Sequence, residues 1–259
     1  MIENCNGIDV VKYAKVYSIR SVFSLERAKQ SDEVFIANVN GKDFHFSMHD
    51  YGEMYKIPNL YDAMIYGHLR CETPFALARE FGRILFEHRV DPSALRVLEV
   101  GAGSGAFAEA VRLAMPIGRM VGLDIIEEAR VAADRDRPGI YDGYIVADLC
   151  ALSSEAKAKI ASLSPNCVGV ASATGWNNHI PVAGFERAFS VLEPGGWFIF
   201  HVKPNDPDPE CVALLQWIEA KVKTSYIVDS KRGKIFHRMS VHGERIYYEY
   251  VIGRKQIAT

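Results

Sequence analysis

An α/β fold built on a parallel sheet is what this sequence predicts, and three observations carry the prediction. From Thr73 onward, short apolar runs alternate with amphipathic stretches, the pattern of parallel strands with helices on both faces. The most regular unit is Val97-Leu-Glu-Val-Gly-Ala-Gly-Ser-Gly-Ala-Phe107, which reads as strand, glycine turn and helix start. The next apolar run ends in Asp124, about 20 residues beyond the glycines, where α/β sheets bind ribose hydroxyls through a carboxylate.

Each element follows from local chemistry. Residues 1–70 read as an extension ahead of the core, serving as a lid or a dimer contact. Within it, Val10–Leu25 has no clean periodicity. Val34–Val39, Asn40-Gly41 and Phe44–Met48 form a hairpin pattern, Asn-Gly being the favoured type I′ turn. Tyr51–Tyr66 is rich in tyrosine and methionine, and Pro58 breaks any helix there. Thr73 and Pro74 open a helix with Phe75, Leu77, Ala78, Phe81, Ile84 and Leu85 on its apolar face, stopped by Asp91-Pro92. Strands are expected at Val97–Val100, Met120–Ile125, Tyr144–Asp148, Cys167–Ser172 and Trp197–Val202. Helices fall at Ser104–Met115, Glu127–Asp134, Ser153–Leu163, Pro181–Leu192 and Glu210–Lys223. Lys203–Pro209 carries three prolines and is a loop, and Ile235–Ser240 with Arg245–Gly253 form a closing hairpin. The core therefore runs over residues 71–259.

Composition narrows the function. The chain has 259 residues, 49% hydrophobic and 24% charged, with a net charge of −2. That balance argues against nucleic acid as the main partner. No apolar run approaches the ~18 residues of a membrane span, and Met1–Asp9 shows no signal-peptide core. Cys5, Cys71, Cys150, Cys167 and Cys211 are scattered, without a C-x-x-C pair. They read as reduced thiols of a cytoplasmic protein, with no metal site expected.

The glycine stretch alone does not name its ligand. Gly101-x-Gly103-x-x-Ala106 also fits the dinucleotide fingerprint, which accepts alanine in the third slot. Glu99, two residues before the first glycine, leans the other way. It suits an ammonium or sulfonium better than a pyrophosphate.

Four motifs in order carry a family resemblance. Val97-Leu-Glu-Val-Gly-x-Gly-x-Gly105 resembles the first motif of class I S-adenosylmethionine-dependent methyltransferases of the small stand-alone type. Val121-Gly-Leu-Asp124 is similar to their second strand, Ala147-Asp148-Leu149 to their third, and Leu192-Glu-Pro-Gly-Gly-Trp197 to the turn before their fifth. The resemblance covers roughly Phe75 to Lys255 and implies a Rossmann-like, seven-stranded sheet of order 3-2-1-4-5-7-6. It also implies S-adenosyl-L-methionine as cofactor. Gly101, Ala102, Gly103 and Gly105 would then line the methionine moiety, and Glu99 would hold its ammonium directly or through water. Asp124 would accept from the ribose hydroxyls and Asp148 from the adenine amine, with Leu149 and Ile125 flanking the ring. Cys167, where many members have aspartate, and Thr174-Gly-Trp-Asn-Asn-His179 depart from the pattern where substrate usually meets cofactor.

Methyl transfer from a sulfonium releases a neutral thioether, so alignment dominates and a base matters only if the acceptor must lose a proton. His179, after the fourth strand, is the first choice for such a base. Trp176 is a candidate wall of the acceptor pocket, and Tyr61, Tyr66 and His68 are candidates to fold over it. A plain packing role competes with each. The resulting expectation is a methyltransferase with a small-molecule acceptor, no membrane partner and a homodimer as one option for residues 1–70. A protein acceptor docked on residues 1–70, a nicotinamide-dependent oxidoreductase and a module without chemistry are the rivals.

Overall fold

The computed structural model describes residues 17–22, 33–170 and 179–257. The chain divides into two compact units, Met1–Glu72 with Phe236–Ile246, and Thr73–Ile235 with Tyr247–Thr259.

In the first unit, β1 (Ser18–Val22), β2 (Val34–Val39) and β3 (Lys42–Ser47) form an antiparallel sheet in that order. Asn40 and Gly41 turn β2 into β3 with φ of +53° and +83°, the two positive values a type I′ turn requires. β1 escaped the sequence reading because its outward Ser18, Arg20 and Val22 alternate with half-buried Ile19 and Ser21, so only one apolar side chain faces in. Pro58 separates helices and does not exclude them. α1 (Tyr51–Lys56) precedes it, and α2 (Leu60–Asp62) follows and runs on as a π-helix over Ala63–His68. The Leu69 amide bonds back to the Met64 carbonyl at 2.9 Å, the five-residue step of that geometry. Glu33 and Arg238 make a buried ion pair at 2.7 Å, and Glu33 also accepts from the Val241 amide. The pair fastens the tip of the closing hairpin within this unit.

The second unit begins with α3 (Thr73–Glu87). β4 (Arg96–Val100), α4 (Ala106–Ala114), β5 (Arg119–Asp124), α5 (Glu127–Asp136) and β6 (Gly143–Val146) follow. Then come α6 (Ser154–Leu163), β7 (Cys167–Val170), α7 (Val182–Val191), β8 (Trp197–Val202), α8 (Pro209–Lys223), β9 (Ile227–Met239) and β10 (Arg245–Lys255). The seven strands lie in the order β6-β5-β4-β7-β8-β10-β9, which is 3-2-1-4-5-7-6 counted from β4. β4 through β8 pair in parallel, and β10 enters antiparallel to β8. Helices cover both faces. Leu98, Val100, Val121, Leu123, Val168 and Val170 pack with residues of α6, α7 and α8 in one core.

The alternate residues Glu99, Gly122 and Gly169 therefore face the other way. They form one row across β5, β4 and β7. Phe107 of α4 fills the space over Gly169, where a Cβ would meet its ring at 2.9 Å. β9 is longer than expected. Its first half, Ile227–Lys234, has Asp229, Lys231, Arg232 and Lys234 on a sheet edge, and charge there blunts edge-to-edge pairing at the expense of an apolar signature.

Candidate functional site

The glycine turn closes over the carboxyl ends of β4 and β5. Gly101, Gly103 and Gly105 have φ of +67°, +53° and +93°, a region that an L side chain enters at a cost. The turn is stitched down by its own backbone. The Ala102 amide donates to the Leu123 carbonyl at 3.1 Å, and the Gly105 amide to the Ala102 carbonyl at 3.0 Å. Gly103 donates its amide to Asp124 Oδ2 at 2.9 Å. Gly105 sits at the N-cap of α4, and a Cβ there would press on Ile140 and Tyr141 at 3.1 and 3.2 Å.

Asp124 is nearly buried, and its Oδ1 accepts from the Ile126 amide at 3.0 Å. Burial pushes its pKa up, and the Gly103, Ile126 and Ile125 amides pull it back. A carboxylate offers about four lone-pair sites, so acceptor capacity remains for ligand hydroxyls.

Glu99 lies under the turn. It is 1% exposed, and Oε2 accepts from the Tyr141 hydroxyl at 2.8 Å. Burial raises its pKa to about 8, against the lowering effect of Tyr141 and the Ala108 amide. The carboxylate supports the turn from beneath, at the first turn of α4, where a helix favours an acid.

Three residues the sequence reading passed over complete this floor. The Tyr144 hydroxyl donates to the Gly103 carbonyl at 2.8 Å, and its ring lies over Gly122, where a Cβ would come within 2.9 Å. Burial drives its pKa far up, helped by Asp124 and Glu99. The Tyr141 ring packs edge-on against Tyr144 at 5.3 Å between centroids, and its hydroxyl contacts Glu99 and the Ala102 carbonyl. Arg137, buried at the end of α5, bonds Glu109 at 2.8 Å and the Ser104 carbonyl and hydroxyl at 3.2 Å. The available signal was Gly122 itself, since glycine inside a strand marks a close approach.

At the adenine side of the expected site, Asp148 is exposed and Oδ1 accepts from the Cys150 amide at 2.8 Å, capping a short 3-10 turn. β6 ends at Val146, two residues before the expected boundary. The Leu149 side chain is packed into the core, so it offers a ligand little surface. Ile125, at 66% exposure, and Val146 supply open apolar surface.

The acceptor candidates fall in both units. His179 is half-buried ahead of α7, and Trp176 lies outside the described residues. Tyr61, Tyr66 and His68 belong to the first unit. Tyr61 sits in an aromatic cluster, its ring 4.9 Å from Tyr55, 6.0 Å from Tyr51 and 6.2 Å from Tyr66, and burial raises its pKa. His68 Nε2 is 2.9 Å from the Ser21 hydroxyl, and burial lowers its pKa. His201 is buried in β8 and stacked on Tyr248, with its pKa pushed down to about 3 by burial. No group of metal-ligating side chains occurs among the described residues.

No protein-family model matches the sequence, and no curated protein does. Among solved structures, a candidate RNA methyltransferase from Pyrococcus horikoshii superposes with a TM-score of 0.50 at 16% identity, over 72% of this chain and 88% of that one. A candidate O-methyltransferase from Klebsiella pneumoniae gives 0.47 at 13% identity, over 70% and 81%. The N-methyltransferase NodS from Bradyrhizobium japonicum, solved with S-adenosylhomocysteine, gives 0.45 at 16% identity, over 71% and 89%. Together with the strand order, the first of these shows that the chain has the Rossmann-like fold of class I S-adenosylmethionine-dependent methyltransferases.

Proposed function

We propose that this chain is an S-adenosylmethionine-dependent methyltransferase acting on a small-molecule acceptor. One observation carries the reading: a turn of three positive-φ glycines is tied through the Gly103 amide to an acid at the end of the next strand. The residues fit the cofactor. Asp124 keeps lone pairs for ribose hydroxyls, the backbone of Gly101–Gly105 borders the methionine end, and exposed Ile125 and Val146 suit an aromatic base beside Asp148. When bound, the cofactor supplies an electrophilic methyl on a sulfonium. The chain's part is to bind, orient and exclude water, with His179 as the candidate proton acceptor for a hydroxyl or amine substrate.

Topology disfavours the nicotinamide alternative. Dinucleotide folds run 3-2-1-4-5-6, whereas β10 is here inserted antiparallel between β8 and β9. Cys71, Cys150, Cys167 and Cys211 are present as thiols, which suits a reducing cytoplasm, and no described helix is long and apolar enough to cross a membrane. We assign acceptor selection to residues 1–70, with Tyr61 as the residue that tests the assignment. Replacing Tyr61 with Ala is expected to raise acceptor KM while leaving S-adenosylhomocysteine affinity unchanged. A parallel loss of cofactor affinity would remove that assignment. The methylation reaction itself is tested by incubating the protein with labelled S-adenosylmethionine and pooled small-molecule, protein and RNA acceptors. Label entering only macromolecules would replace the small-molecule reading.

A further inference from the structure

Tyr141 reaches the glycine turn with one hydroxyl proton and two acceptors. Its oxygen stands 2.8 Å from Glu99 Oε2 and 3.2 Å from the Ala102 carbonyl. A phenol donates one hydrogen bond and can accept others. Both contacts are full two-centre hydrogen bonds at once only when Glu99 carries a proton. Glu99 then donates to Tyr141, and Tyr141 donates to Ala102. With Glu99 ionised, Tyr141 turns its proton to the carboxylate, and the Ala102 carbonyl is left with the Gly105 amide.

From this geometry we infer that Tyr141 is a positioning residue for the glycine turn, and that the Glu99–Tyr141 pair couples capture of a cationic ligand to release of one proton. The inference rests on the cofactor reading above and adds to it the group that gives up the proton. The balance is simple. Protonated Glu99 and a cationic ligand go to a carboxylate beneath a bound cation, with the proton passing to solvent.

The surroundings of Glu99 support this. Burial is the largest influence on it, and Asp124 from β5 adds repulsion, so the free protein holds the proton near neutrality. Arg137, from the end of α5, favours the ionised form but is engaged by Glu109 of α4 and by Ser104. Tyr144 of β6 faces the carboxylate and is held neutral by burial. α4 contributes the Ala108 amide, and β7 presents only Gly169 along the row. A nearby cation favours the ionised acid, so an ammonium or sulfonium arriving at the turn tips the pair.

The test is calorimetric titration of the whole protein with S-adenosylhomocysteine between about pH 6 and about pH 9, in buffers of different ionisation enthalpy. Wild type is expected to release close to one proton near neutrality, with affinity rising up to about tenfold per pH unit until Glu99 ionises unaided. Glu99→Gln is expected to release none and to lose the slope. Tyr141→Phe removes the bond that favours the carboxylate, so its rising limb moves to higher pH. A merely structural tyrosine would instead lower affinity evenly at every pH. Wild-type binding with no proton release and no slope overturns the inference and leaves the cofactor reading intact, as does an equal release by Glu99→Gln. Absence of binding by wild type at every pH removes both.

Discussion

At the scale of single residues, the two carboxylates near the glycine turn stand in different surroundings. Asp124 is nearly buried with acceptor capacity left, and Glu99 lies fully buried beneath the turn. Asp124→Ala is expected to weaken S-adenosylhomocysteine binding about 10- to 100-fold, the worth of hydrogen bonds to a charged group. An unchanged dissociation constant would move the ribose site elsewhere. Glu99 has a stability consequence with a definite sign. Its folded pKa, about 8, lies above the ordinary 4.5, so its contribution is fully present below the unfolded value. It is lost as pH rises through the folded one. Wild-type stability should therefore fall by on the order of a few kcal/mol between about pH 5 and about pH 8. Glu99→Gln should flatten that fall in denaturant titrations. An equally steep profile in the variant would mean that another group is responsible.

At the scale of elements, what could be read from the chain was what repeats locally. The Asn40-Gly41 hairpin, the β4–turn–α4 unit and the Ser153 cap of α6 each rest on neighbours in sequence, and each is present. Tyr141, Tyr144 and Arg137 act on the turn across strand pairings from about residue 140, and no local periodicity announces that. β1 was hidden because only Ile19 is an inward apolar residue, and the first half of β9 because its outward residues are charged. Gly122 is the element-level test of the floor. Gly122→Ala places a methyl against the Tyr144 ring and is expected to cost ~1–3 kcal/mol by overpacking. The melting temperature should drop by several degrees and ligand affinity should fall with it. A variant as stable as wild type would show that the Tyr144 ring does not occupy that space.

At the scale of the whole molecule, the strand order was legible only through motif resemblance, because strand spacing says nothing about which edge receives β10. The acceptor side was not legible because Thr174-Gly-Trp-Asn-Asn-His179 departs from the family pattern that made the cofactor side readable. In the first unit, breaking the buried Glu33–Arg238 pair with Arg238→Ala is expected to cost about 3–5 kcal/mol there. Hydrogen exchange should quicken across Phe236–Ile246, and unchanged protection would mean the pair does not hold the hairpin tip. The central claim is the identity of the ligand at the glycine turn. The most direct measurement is calorimetric titration of wild type and Asp124→Ala with S-adenosylhomocysteine and, separately, with NAD. Micromolar binding of S-adenosylhomocysteine alone, weakened in the variant, is the predicted result. Binding of NAD alone would contradict it and make the glycine stretch a dinucleotide turn.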